Sequence, residues 1–203
     1  NTGVSVAVFD NDAVGVLLSK ATAITTEGVS TDTYEVVLSS APISSSVTVS
    51  VVGNSQVLAE PSALTFGSSD WDTPQTVTLT AVDDLVDERS ELHTVWHAVT
   101  SDDVAYNGAG ALFRAGSNVT VTVHDNDFAG VAVTLARDSG EGDVVAVREG
   151  GVMSSYELRL QTEPTFLVTV GIEVPTSGEI VTNLDLLVFS SENWNEPQTL
   201  EVS

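Results

Sequence analysis

"VTVTVHDND", residues 119–127, alternates valine with threonine for five positions and then stops on two carboxylates flanking an amide. Period-two alternation puts Val119, Val121 and Val123 on one face of a strand and Thr120 and Thr122 on the other, so the stretch predicts a sheet with one buried face. The same texture recurs in "VTVSV" from Val47 and "TVTLTA" from Thr76. Strands are expected at Val14–Leu18 with Thr22–Thr25, Tyr34–Leu38, Val47–Val52, Ala63–Phe66, Thr76–Val82, His93–Thr100 and Val119–His124. Turn residues such as Ala41-Pro42 and Gly67-Ser68-Ser69 separate them. No segment shows helical periodicity. Seven short strands in about 115 residues predict an all-β fold, an antiparallel β-sandwich of immunoglobulin-like size. Phe66, Trp71, Leu79, Val121 and Val123 are its expected core anchors.

The ending is also a repeat, because "VSVAVFDND" closes residues 4–12 in the same way. Further along, "YEVVLSSAP" and "LTFGSSDWDTPQTVTLT" read against "YELRLQTEP" and "LVFSSENWNEPQTLEVS". Tyr34 and Tyr156 stand 122 positions apart, Trp71 and Trp194 123. Tandem modules are therefore expected: the last strand of one repeat at 1–12, a complete sandwich at 13–127, and a second repeat at 128–203 that stops after its fifth strand. Ends of this kind suggest an excerpt of a longer array.

Composition narrows the function. Of 203 residues 42% are hydrophobic, enough for packed domains, and the 29 acids against 6 bases give a net charge of −23. Such a charge repels phosphate backbones and anionic lipid, which speaks against nucleic acid as a partner, and the lack of a long apolar run speaks against direct membrane insertion. Acids at this density either solvate a surface or gather cations, and only their clustering separates the two. Cysteine is absent, which excludes disulfides and thiolate metal sites.

In order and spacing, "TTEG", "LTF" followed by "W..PQTVTLTAVDD..DE", "VTSDDVAYNG" and "VTVTVHDND" resemble the Calx-beta family, the sandwich modules of sodium/calcium exchangers and of many long extracellular adhesion proteins. The resemblance covers nearly the whole chain. It implies a seven-stranded sandwich whose loops at one pole bind calcium in some members and are structural in others.

Strand direction leads to the same pole from the residues alone. When successive strands alternate direction, the first, third, fifth and seventh finish at one end. Glu27, the loop Gly53–Pro61, the run Asp83, Asp84, Asp87, Glu88, and Asp125 with Asp127 then converge there. Calcium takes about 6–8 oxygen ligands in irregular arrangements, which acids from several loops can supply. These seven carboxylates are the expected calcium site, with Asx turns that merely end strands as the alternative reading. The second repeat supplies Glu149, and the first fragment Asp10 and Asp12, too few for further sites. Asp102 and Asp103 fall at the opposite pole, as a solvated turn or a second cation site bridging modules.

Other chemistry finds little footing. His93 and His97 are spaced like a helical zinc pair, but on a strand they lie about 13 Å apart and are expected at the surface or core edge. Trp71 and Trp194 suit packing or turn anchoring better than sugar stacking. There is no "GxSxG" elbow and no carboxylate pair facing across a cleft, so no enzyme is expected. The one sequon, Asn118-Val119-Thr120, is a possible N-glycosylation site. The expected function is a structural or adhesive repeat of a long secreted or cell-surface protein, such as a stalk, filament or surface hair, with calcium at the joints between repeats. Its partners would be neighbouring repeats and other copies in a filament or surface assembly. The alternative is a calcium-sensing regulatory module as in the exchangers.

Overall fold

The computed structural model describes residues 6, 13–107, 113, 116–135, 147, 151, 153–175 and 180–203. Apart from Val6, the strand expected at residues 1–12, with Asp10 and Asp12, and the residue Glu149 lie outside them. Every regular element among the described residues is a β-strand, and no helix is long and apolar enough to cross a membrane. Two compact units are formed, one from Asn1–Asp83 and Ser90–Asp125, the other from Asp84–Arg89 and Asn126–Ser203.

In the first unit the strands are β1 (Val16–Leu18), β2 (Thr22–Thr26), β3 (Thr31–Leu38), β4 (Val47–Val52), β5 (Val57–Glu60), β6 (Ala63–Phe66), β7 (Gln75–Ala81), β8 (Glu91–Ser101) and β9 (Asn118–His124). They build two sheets, β1-β3-β7-β5 and β2-β9-β8-β4-β6. Each neighbouring pair is antiparallel except β2 with β9, which run parallel. The first predicted strand is real but split: β1 pairs in one sheet and β2 in the other, so the chain changes sheets across residues 19–21. A second crossing joins β5 to β6 at the cis Glu60-Pro61 bond.

One expectation needs correction. The stretch Gly53–Pro61, expected as a loop, contains a strand: Val57–Glu60 is β5, paired with β7 from Val57↔Ala81 to Glu60↔Thr78. Only residues 53–56 turn. Asn54 Oδ1 accepts the amides of Gln56 and Val57, both at 2.9 Å, and at Gly53 an added Cβ would lie 2.1 Å from the Val57 carbonyl oxygen. Glycine is required there by close backbone approach rather than by a free loop.

The alternating pattern does what the sequence implies. Val47, Val49, Val77, Val119, Val121, Phe66 and Leu79 are fully buried between the sheets, while the intervening threonines face outward. Burial of each such side chain stabilises the fold by about 1.5–3 kcal/mol. Trp71 is only partly buried against this core, less deeply than expected.

The second unit repeats the local chemistry. Its strands are β10 (Val131–Leu135), β11 (Ser154–Leu160), β12 (Val168–Gly171), β13 (Leu186–Phe189) and β14 (Gln198–Val202), in sheets β10-β11-β14 and β12-β13. Leu158, Leu160, Leu187, Phe189, Trp194 and Leu200 form its core. The recurring tryptophan motif now has a physical meaning. Asp70 Oδ1 accepts the Gly67 amide at 2.5 Å, and Asn193 Oδ1 accepts the Ser190 amide at 2.7 Å. The Trp71 carbonyl takes the Leu38 amide at 3.0 Å, and the Trp194 carbonyl takes that of Leu160 at 2.8 Å. Gln75 and Gln198 each donate a side-chain amide back to the preceding strand at 2.8 Å. The tryptophans thus anchor turns, and the matched positions of the sequence repeat make matched bonds.

Candidate metal centre

Backbone pairing delivers the acids to one end of the first unit. β2 and β9 run side by side to Thr26↔His124, and the Glu27 amide donates to the His124 carbonyl at 3.0 Å. The segments carrying Glu27 and Asp125 therefore leave the sheet together. β7 finishes beside the start of β3, with Thr31↔Thr80, which brings Asp83 to the same end. The chain reverses at once after β2: the amides of Val29 and Ser30 both donate to the Thr26 carbonyl, at 3.2 and 3.0 Å. Gly28 sits at φ 59°, a left-handed conformation that a side chain disfavours. This explains the "EG" pair, since the turn holds Glu27 at the sheet end.

In the second unit Asp84 and Asp127 each offer a carboxylate oxygen, and these oxygens lie within 4.8 Å of each other. Glu27 is 2% exposed. Oxygens up to about 5 Å apart can share one ion at about 2.4 Å, so the Asp84–Asp127 pair satisfies the spacing of a calcium shell. The donors are all hard oxygens, with no imidazole or thiolate, which suits calcium and disfavours zinc. Carboxylates this close repel one another, and a divalent cation turns that repulsion into attraction. Further ligands to reach about 6–8 would come from water and backbone carbonyls.

Of the seven predicted acids this pair joins two. Asp83, Asp87, Glu88 and Asp125 stand outside it. The Asp87 carboxylate accepts the Ala129 amide at 2.9 Å. Asp84 Oδ1 accepts the Val86 amide at 2.8 Å, closing an Asx turn that fixes the loop just after β7. The two readings of the acids thus meet in Asp84, a turn former that is also in the pair.

At the opposite pole both expectations for Asp103 are corrected. It is fully buried, neither solvated nor placed to hold a cation. Its Oδ2 accepts the amides of Ile43 at 2.5 Å and Ser44 at 2.7 Å, and its Oδ1 that of Ala105 at 2.9 Å. The Ser44 and Ala105 amides, with that of Ile43, outweigh desolvation and hold the carboxyl below its ordinary range. Asp103 is an anion that pins the β3–β4 loop to the turn after β8. Tyr106 closes the same corner, donating from Oη to the Ser40 carbonyl at 2.5 Å.

His97 is likewise deeper than the surface or core edge expected of it. It is 8% exposed, and its Nδ1 lies 2.9 Å from the Ser117 carbonyl and its Nε2 2.5 Å from Tyr34 Oη. A carbonyl can only accept, so Nδ1 carries the proton and Nε2 receives the Tyr34 hydroxyl. The pair links β8 in one sheet to β3 in the other. A signal existed in the sequence: His97 shares its strand phase with Val95, an inward position. Asn118, the sequon residue, is partly buried at the start of β9, opposite Trp96.

No protein-family model matches the chain, and no curated protein matches it. Among solved structures, the apo form of the Calx CBD1 domain is 16% identical over 57% of this chain and 100% of that one, at a TM-score of 0.42. The calcium binding domain CBD12 of CALX1.1 is 15% identical over 92% of this chain and 74% of that one, at 0.41. The periplasmic chaperone SfaE is 13% identical over 71% and 92%, at 0.38. The chain is similar to Calx CBD domains in this sense, and at these scores the likeness gives none of its residues a role.

Proposed function

We propose that the chain is a calcium-binding β-sandwich repeat of a long secreted or cell-surface protein, holding calcium through acids of its strand-end loops, Glu27 among them. The observation that carries this is a glutamate only 2% exposed at the sheet end of the first unit, supported in the second unit by two carboxylate oxygens within 4.8 Å of each other. Matched hydrogen bonds at matched repeat positions support a serial structural module over a stand-alone sensor. An ion that binds only the folded form stabilises it by RT ln(1 + [L]/Kd), about 2.7 kcal/mol at a hundredfold excess over Kd. Thermal melts of the whole chain in calcium and in chelator test this. Wild type is expected to gain stability in calcium, and Glu27→Gln to lose most of that gain. A wild type that melts alike in both conditions removes the proposal and leaves the acids as a solvated strand-end cap.

A further inference from the structure

The outer face of the five-stranded sheet departs from the rest of this acidic chain. Its outward positions alternate along β2, β4, β6, β8 and β9, and none is Asp, Glu, Lys or Arg, although the chain holds 29 acids. By contrast, the outer face of the other sheet carries Glu35 and Glu60. Four large apolar side chains lie on the uncharged face, Leu92 at 72% exposure, Trp96 at 57%, Ile24 and Val52. Register places them in two rows: Ile24 and Leu92 flank Thr122, and Trp96 has Val52 on one side and Asn118 on the other. Threonines fill the space between, with Thr22 and Thr94 flanking Thr120.

We infer that this face is a self-association surface, on which a second copy of the chain packs sheet against sheet. Charge selects the occupant. At a net −23 two copies repel across most of their surface, and a neutral face is where like-charged molecules approach at least cost. A cationic partner would instead seek the acids that this face lacks. Sheet-on-sheet packing needs a flat apolar layer rimmed by small polar side chains, which Trp96, Leu92 and the threonines provide.

Area sets the strength. Five strands of 4 to 11 residues, at about 3.3 Å rise per residue and about 4.8 Å spacing, give roughly 500 Å² per copy and about 1,000 Å² for the pair. That is the low end of specific interfaces, so the dimer is weak and depends on concentration. Its salt dependence is diagnostic. Screening relieves the net repulsion, so association strengthens as salt rises, the reverse of a dimer held by ion pairs.

Sedimentation velocity of the whole chain at fixed calcium, from 5 to about 500 µM, tests the inference. Mass is expected to rise toward two chains, more steeply at about 300 mM than at 20 mM salt. Leu92→Glu with Trp96→Glu is expected to stay monomeric throughout, and Thr76→Glu, on the outer face of the other sheet, to behave as wild type. Trp96→Thr keeps a good strand former and should weaken association at least tenfold with an unchanged melting temperature, so a folding defect in the double variant would not obscure the result. The inference is overturned if wild type stays monomeric at 500 µM, even should the face bind a neutral glycan instead. It is overturned equally if Trp96→Thr dimerises like wild type or if Thr76→Glu abolishes dimerisation.

Discussion

Acid should loosen the first unit through one buried imidazole. His97 bridges the two sheets by accepting from Tyr34 Oη and donating to the Ser117 carbonyl, and its ring meets Tyr34 edge-on with centroids 5.5 Å apart. Burial holds it below the ordinary imidazole range, with the Ser117 carbonyl pulling weakly the other way. Burial also pushes the Tyr34 phenol well up, so the hydroxyl remains a donor across the working range. The unfolded chain therefore takes up the proton first, at about pH 6.5. Stability is intact above that pH and falls as the pH drops below it, by up to about 1.4 kcal/mol per pH unit until the folded imidazole also charges. Protonated Nε2 would face the Tyr34 hydroxyl as a second donor. Urea melts between pH 7.5 and 5.0, in chelator so that proton competition at the acids does not intrude, read this directly. Tyr34→Phe should cost about 1–3 kcal/mol at pH 7.5, because it leaves Nε2 buried without its donor. The same change should flatten the pH slope, since the bond it removes favours the neutral ring. If His97→Gln keeps the full wild-type slope between pH 6.5 and 5.0, another group carries the effect and the argument fails.

Other perturbations probe the core and the far pole. Phe66 is completely enclosed where β6 meets β4, so Phe66→Ala should cost about 3–5 kcal/mol in denaturant melts, and a loss under about 1 kcal/mol would show the core misplaced. Asp103→Asn turns one accepting oxygen into a donor facing backbone amides, and a lowered melting temperature at pH 7 is expected. Because the Asp103 carboxyl is held low, its contribution is present above about pH 4 and lost as the pH falls through its folded value. The asparagine variant should lack that acid transition, and an unchanged acid melt would contradict the role assigned to the carboxylate.

The sheets were legible because valine and threonine alternate so strictly that only one face can be buried. β5 was not, since Gly53, Asn54 and Ser55 announce a turn and the four strand residues after them are too few to show a period. The acid pole followed from strand direction, which tells where loops end but not which way their side chains point. That is why Asp84 and Asp127 come together while Asp83 and Asp125, beside them in sequence, are not in that pair. Asp103 hid for a different reason: "SDD" reads as a polar turn, and its burial arises only when the loop holding Ile43 and Ser44 folds onto it from 59–60 residues away. Long-range closure of this kind leaves no local mark in the chain.

The central claim is that the strand-end acids, Glu27 among them, take up calcium, and titration calorimetry of the whole chain addresses it most directly. Calcium added to chelator-stripped protein should bind in the range of about 10⁻⁴–10⁻³ M expected of an extracellular module, with magnesium much weaker because it demands a stricter octahedral shell. Glu27→Gln should lower the affinity at least tenfold while the chain stays folded. Equal heats for calcium and magnesium, or an affinity unchanged in Glu27→Gln, would contradict the account and reduce the acids to a diffuse counterion sink.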